Sequence, residues 1–206
     1  MPNLIRTFSW VSATASGKAP VLTQHDGLVL PTGVVEAFSQ EECNEILHLG
    51  EKLPDKPALT GDGGAITSYS RRNARVRQLF PDAESDWIFQ KLESELLKFK
   101  EHFGFELTGF YEGAQLYRYP EGGFLNWHMD IGLGVMSNRK LAISVQLNSG
   151  DEYEGGDLEF EDSQGNAPRK RGTFIIFPAY MRHRVTTVTK GYRDCLVTWV
   201  HGPPFA

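Results

Sequence analysis

Cysteine is scarce in this chain: Cys43 and Cys195 are the only two, far apart and outside any CxxC pair. Neither a disulfide framework nor a thiolate zinc site is therefore expected. Long hydrophobic runs are missing as well. No stretch approaches the roughly 20 apolar residues that cross a bilayer, and the opening "MPNLIRTFSWVSATASGKAP" lacks the continuous apolar segment of a secretory leader. The expectation is a cytoplasmic protein in a reducing compartment, with no membrane partner. An excess of positive charge is also absent. The formal net charge of −5 argues against a nucleic-acid partner, although "SRRNARVR" gathers Arg71, Arg72, Arg75 and Arg77. There is no internal repeat and no low-complexity segment.

What is present suffices for one domain. A chain of 206 residues with 40% hydrophobic content can bury a substantial core. Residues 39–53, "SQEECNEILHLGEKL", begin with Ser39 and Glu42 in capping-box order ahead of Ile46, Leu47 and Leu49, which predicts a helix. Trp87, Ile88, Leu92, Leu96, Leu97 and Phe99 recur at helical spacing and predict a second helix over about 85–103, its stripe serving as core. After Phe105 the chain turns to short β-branched and aromatic segments parted by Gly, Pro, Asn and Asp. Helices followed by strands suggest an α+β fold with a mainly β core, the helices packed on one face of an antiparallel sandwich or barrel. The division expected is an N-terminal extension over 1–33, a mainly helical support over 34–105 and a β core over 106–202.

The strand "LAISVQLN" sorts Leu141, Ile143, Val145 and Leu147 onto one face and Ala142, Ser144, Gln146 and Asn148 onto the other. The small polar face either lines a lumen or, on an edge strand, meets solvent. In "LNWHMDIG" the same period sets His128 and Asp130 on one face, where a carboxylate among apolar neighbours needs a partner. A metal ion is one such partner. A third ligand candidate is His183, at the start of an alternating strand that ends near "TKG". If residues 189–191 form a three-residue hairpin loop with Gly191 left-handed, His183, Arg193 and Trp199 share a face. A two-residue turn would send Arg193 to the other side. Two imidazoles and one carboxylate with open positions suit a redox-active ferrous ion. Arg193 would offer a planar cationic fork to a carboxylate in the same space.

This HxD, distal histidine and following arginine resemble the 2-oxoglutarate and Fe(II)-dependent dioxygenases, in particular their prolyl-4-hydroxylase-like, PKHD-type branch. The resemblance runs over roughly residues 34–202 and includes "FSQEECNEIL", "DAESDWIFQKLESEL", "QLYRYPEGGFLNWHMD", "YEGGDLEF" and "RGTFIIFPAYMRHRV". It implies a double-stranded β-helix (jelly roll, cupin-like) with His128, Asp130 and His183 as iron ligands and Arg193 on the distal carboxylate of 2-oxoglutarate. Tyr119 matches a tyrosine of the co-substrate pocket and Trp199 an aromatic residue beside the site. Where relatives often place a tyrosine on the distal carboxylate this chain has Gln146, and Ser144 lies on the same face. Fe(II), 2-oxoglutarate and O2 are implied, with ascorbate as reductant. So is hydroxylation of an unactivated C–H bond with release of succinate and CO2. Asp130 separates hydroxylation from halogenation, which needs a small residue there.

The implied substrate is a prolyl or similar residue in a protein or peptide. The alternatives are a free amino acid or small natural product, a cupin-like metal enzyme without 2-oxoglutarate, and a binding module with a structural metal. "TGDGGAITSYSRRNAR" and "IGLGVMSNRK" are expected to flank the mouth, where Arg71, Arg72 and Arg75 are candidates to meet an acidic group on the substrate.

Overall fold

Period-two alternation in the second half makes two-faced strands, and the computed structural model closes them into two facing sheets. The structure describes residues 6–7, 31–58, 71–161 and 165–205. The first half supplies β1 (Arg6–Thr7), β2 (Thr32–Val34), α1 (Gln40–Glu51), β3 (Lys56–Pro57), β4 (Arg72–Asn73), β5 (Arg75–Leu79), α2 (Asp86–Leu97) and α3 (Lys100–Phe103). The second supplies β6 (Gly109–Phe110), β7 (Ala114–Tyr119), β8 (Phe124–His128), β9 (Arg139–Gln146), β10 (Glu154–Gly155) and β11 (Leu158–Phe160). It ends with β12 (Phe174–Pro178), β13 (His183–Val185), β14 (Val188–Lys190) and β15 (Arg193–His201).

The capping box forms as the sequence suggests. The Glu42 N–H donates to Ser39 Oγ at 3.1 Å and the Ser39 N–H to the Glu42 carboxylate at 2.7 Å, satisfying two groups that the first helical turn leaves without partners. The second predicted helix is two. It breaks at Lys98 and Phe99, and the short α3 ends on Gly104 in the left-handed conformation, φ 64°. The first half is also less helical than expected, since β3 to β5 lie between its helices. Of the two segments expected at the mouth, residues 59–70 lie outside the described residues, and Gly134–Asn138 forms a 3-10 turn.

The larger sheet runs β2-β12-β9-β15-β7-β5-β3, with β6 against the far end of β15; the smaller runs β11-β13-β8-β4. Both are antiparallel, giving the jelly-roll core. β9 is central, not an edge strand. Its Leu141, Ile143, Val145 and Leu147 join Cys43, Ile46, Ile88, Phe89, Leu92 and Leu96 of α1 and α2 in one buried cluster. Ala142 turns to the second cluster, between the sheets, with Tyr119, Phe160, Phe177 and Trp199. Each buried aliphatic side chain in such a core contributes about 1.5–3 kcal/mol. The helices thus support one sheet from outside and leave its inner face to build a lumen.

The hairpin expected around Gly191 does not form. β13 pairs with β8 and β11 in the smaller sheet, whereas β14 pairs with β10 and β15 enters the larger sheet between β9 and β7. Alternation defines which side chains share a face but not which strand lies alongside. Gly191 does take a positive φ of 73°, turning the chain out of β14 and into β15.

Candidate metal centre and co-substrate pocket

β8 and β13 run antiparallel with His128 directly opposite His183. Asp130 follows two residues beyond His128, its backbone N–H donating to the Ala179 carbonyl at 2.8 Å. One donor atom from each of His128, Asp130 and His183 lies within 4.8 Å of the others. His128 Nε2 is 3.4 Å from Asp130 Oδ1 and His183 Nε2 is 3.6 Å from Oδ2. Each ring is oriented from behind: His128 Nδ1 donates to the Asn126 carbonyl at 2.9 Å and His183 Nδ1 to the Met181 carbonyl at 3.0 Å. With the proton held on Nδ1, both Nε2 lone pairs face the carboxylate, an arrangement that repels unless a cation stands between them.

Protonation states agree with that geometry. Burial pushes the His183 imidazole down to about 4, so it is neutral and able to ligate near neutral pH. Burial alone would raise the Asp130 carboxyl, but His183, His128 and Arg139 hold it well below the usual carboxylate range. Two imidazole nitrogens and one carboxylate fit a divalent transition metal bound on one side, with further positions open to the lumen.

The opposite wall is the inner face of the larger sheet. Arg193, Cys195, Val197 and Trp199 alternate along β15, with Tyr117 and Tyr119 on β7, Ser144 on β9 and Phe177 on β12; all line the same cavity as His128, Asp130 and His183. Arg193 therefore shares the lumen with His183, through facing sheets rather than through a hairpin. It is buried, 3% exposed. Its Nε donates to Gln146 Oε1 at 3.1 Å and its Nη1 to Cys195 Sγ at 3.4 Å, and its guanidinium lies 5.6 Å from the Tyr119 ring centroid. Gln146 is itself fixed, its Nε2 donating to Tyr153 Oη at 3.0 Å and to the Asn148 carbonyl at 3.1 Å. A guanidinium pinned at its Nε edge is oriented for a carboxylate. A larger cavity, about 230 Å³, opens between β2, β12 and residues 165–168, but none of its lining residues is ionisable.

The three arginines named from sequence separate. Arg72, on β4, lines the pocket. Arg71 is exposed. Arg75 lies in the larger sheet and pairs with Asp55 at 2.8 Å, away from the lumen. Tyr117, Tyr153, Cys195 and Phe177 were not singled out from the sequence, and neither was Arg139. Arg139 Nη1 donates to the Asp130 carbonyl at 2.9 Å and its guanidinium lies 3.7 Å from the Trp199 ring centroid. Its other edge grips the Glu112 carboxylate, with Nε at 2.7 Å, and Glu112 also meets His201 Nε2 at 3.0 Å. Burial would raise Glu112, but hydrogen bonds from Arg139 and His201 take it down to about 2. Arg139 opens a β9 that otherwise reads as a packing strand, so only its charge at a buried position was available as a signal.

A two-sheet lumen thus carries a His-Asp-His cluster on one wall and a buried arginine on the other. Residues 114–201, somewhat less than half of the chain, match the 2OG-Fe(II) oxygenase superfamily. Fe(II), 2-oxoglutarate and O2 are what that match implies, and the donor set described above fits the metal. The chain is similar to a PKHD-type hydroxylase of Idiomarina loihiensis, 32% identical over 85 residues that make up 40% of this chain and 39% of that protein. It is also similar to one of Shewanella sp. strain ANA-3, 26% identical over 175 residues, 81% of this chain and 76% of the relative. Among solved structures, a Pseudomonas putida prolyl-4-hydroxylase superposes with a TM-score of 0.64 at 16% identity, over 84% of this chain and 92% of the other. A Trichoplax adhaerens prolyl hydroxylase, solved with a hypoxia inducible factor peptide, does so with 0.67 at 13% identity, over 83% of each. At those identities the structures speak for the fold. Among the described residues, no helix is long and apolar enough to cross a membrane.

Proposed function

We propose that the chain is a hydroxylase dependent on Fe(II) and 2-oxoglutarate, acting on a C–H bond of an amino-acid residue, prolyl or similar, in a protein or peptide. The observation that carries this reading is the meeting of His128, Asp130 and His183 with buried Arg193 in one lumen. In it, His128 Nε2, Asp130 and His183 Nε2 hold the iron from one side, and Arg193 receives the distal carboxylate of 2-oxoglutarate. Gln146 and Tyr153 keep that guanidinium in place. Tyr119 and Ser144 line the co-substrate space, and Trp199, clamped by Arg139, borders the metal. Bound iron supplies oxidation coupled to conversion of 2-oxoglutarate and O2 into succinate and CO2. The protein's part is ligation, orientation and a walled space that limits side reactions.

The relatives named as PKHD-type hydroxylases and the peptide-bound structural neighbour support a peptide substrate. Two buried free thiols and a ferrous ion both suit a reducing, cytoplasmic setting. The test is succinate release, followed by mass spectrometry across prolyl peptides, free amino acids and cell extract. Release that requires both iron and 2-oxoglutarate, with a product heavier by one oxygen atom, is expected. Turnover independent of 2-oxoglutarate would favour a cupin-like enzyme, and binding of metal with no 2-oxoglutarate uptake a structural site.

A further inference from the structure

Strand pairing holds two residues of the triad but not the third. His128 and His183 stand opposite each other in β8 and β13, whereas Asp130 lies two residues past the end of β8, beyond the ladder of the smaller sheet. A side chain on such a segment keeps its direction only if the backbone that carries it is fixed in some other way.

Two hydrogen bonds fix it. The Asp130 N–H donates to the Ala179 carbonyl at 2.8 Å, and the Asp130 carbonyl accepts from Arg139 Nη1 at 2.9 Å. The Ala179 N–H in turn donates to the Lys140 carbonyl at 2.9 Å, so the connections return to the chain beside Arg139 and close a ring around Asp130. The Ile131 N–H reaches the same Ala179 carbonyl at 3.2 Å. Residues 131–138 carry no charged side chain, and Arg139 ties this loop at its base.

Arg139 is itself held on several sides. It is 7% exposed. Its Nε donates to Glu112 Oε1 at 2.7 Å and its Nη2 to Glu112 Oε2, the two-point match of a planar fork with a carboxylate. Its guanidinium lies 3.7 Å from the Trp199 ring centroid, so it also touches a wall of the lumen. Glu112 is steadied by His201 Nε2 at 3.0 Å, and His201 is the cross-strand partner of Arg139. A lysine could offer the charge but not an edge, a face and a further nitrogen at once.

The geometry points to Arg139 as a positioning residue for the metal centre. It closes the 131–138 loop and holds Asp130 in the direction that completes the triad, with Glu112 as its anchor. This role rests on the reading of the triad as a metal site, and it names what that site requires besides its ligands.

The test compares the full chain with Arg139→Gln, Arg139→Lys and Glu112→Gln by two readouts, neither of them turnover. One is Mn(II) affinity by calorimetry; the other is amide hydrogen exchange, resolved by residue, on the metal-free protein. Arg139→Gln should bind Mn(II) roughly 10-fold to 100-fold more weakly. Its Asp130 and Ile131 amides should exchange about 10-fold faster or more, while those of β7 and β15 keep their protection. Arg139→Lys and Glu112→Gln should fall between Arg139→Gln and wild type in both readouts, and they carry the comparison if Arg139→Gln does not fold. Wild-type Mn(II) affinity in the folded variants overturns the inference, whatever their exchange shows. So does exchange that quickens evenly over β7, β15 and the loop, which would make Arg139 a packing residue and no more. Absence of Mn(II) binding by wild type would remove the metal reading itself, and the inference with it, before any variant is made.

Discussion

His128 and His183 face each other in direct register across β8 and β13, their ring centroids 4.1 Å apart. Both Nδ1 atoms are committed to backbone carbonyls, so what the rings share is the space between their Nε2 atoms and Asp130. Replacing His128, Asp130 or His183 by Ala should weaken Mn(II) or Fe(II) binding by more than about 100-fold, beyond the 10–100-fold typical of outer partners. Circular dichroism should show the fold retained. Unchanged metal affinity in His183→Ala would show that the third ligand lies elsewhere.

Arg193 and Gln146 form a specific contact whose loss should be felt at the co-substrate. Arg193→Lys keeps a charge but loses the planar fork. Hydrogen bonds to charged groups are worth about 1.5–3 kcal/mol, so 2-oxoglutarate affinity should fall roughly 10-fold to 100-fold. Arg193→Ala should lose more, because the carboxylate would be left without its partner. Metal affinity should barely change. Gln146→Ala should show a weaker form of the same effect, read by titration of 2-oxoglutarate into the metal-loaded protein.

Glu112 ties the Arg139 clamp to acid stability. Its carboxyl sits at about 2 in the folded protein against an ordinary value of 4.5. A depressed carboxyl stabilises the fold above the ordinary value and loses that contribution as pH falls from about 5 towards 2. The size is about 3 kcal/mol. Urea unfolding midpoints should therefore drop through that window in the wild type. Glu112→Gln should be less stable at pH 7 and show a flatter acid limb, and an unchanged limb would contradict this role.

Gly191 carries the chain from β14 into β15 at φ 73°, and a Cβ there would lie 2.5 Å from the Glu152 carbonyl oxygen. Gly191→Ala should cost at least about 1–2 kcal/mol from the left-handed backbone alone. The strain falls two residues before Arg193, so 2-oxoglutarate affinity should decline more than metal affinity. Thermal melts and paired titrations would show both effects.

The wall bearing the triad was readable because a period of two is all that His128 and Asp130 need to share a face. The inner face of β9 was readable in part, Ser144 and Gln146 standing against an aliphatic outer face. Strand partnership was not readable. His183–Val185 and Val188–Lys190 look like one alternating segment, yet Thr186 turns towards Asp157, whose N–H donates to Thr186 Oγ1 at 2.8 Å, and the two strands enter different sheets. Arg193 and His183 do meet in the lumen, but across it. Arg72 and Arg75 were indistinguishable as members of one basic run. Only the sheets they enter separate them, Arg72 facing the lumen and Arg75 meeting Asp55.

The most direct measurement is 2-oxoglutarate binding with and without metal, on wild type and Arg193→Ala side by side. A lumen that holds the metal on one wall and the distal carboxylate on the other predicts tight binding only when metal and Arg193 are both present. Binding that ignores the metal, or that survives intact in Arg193→Ala, would contradict it.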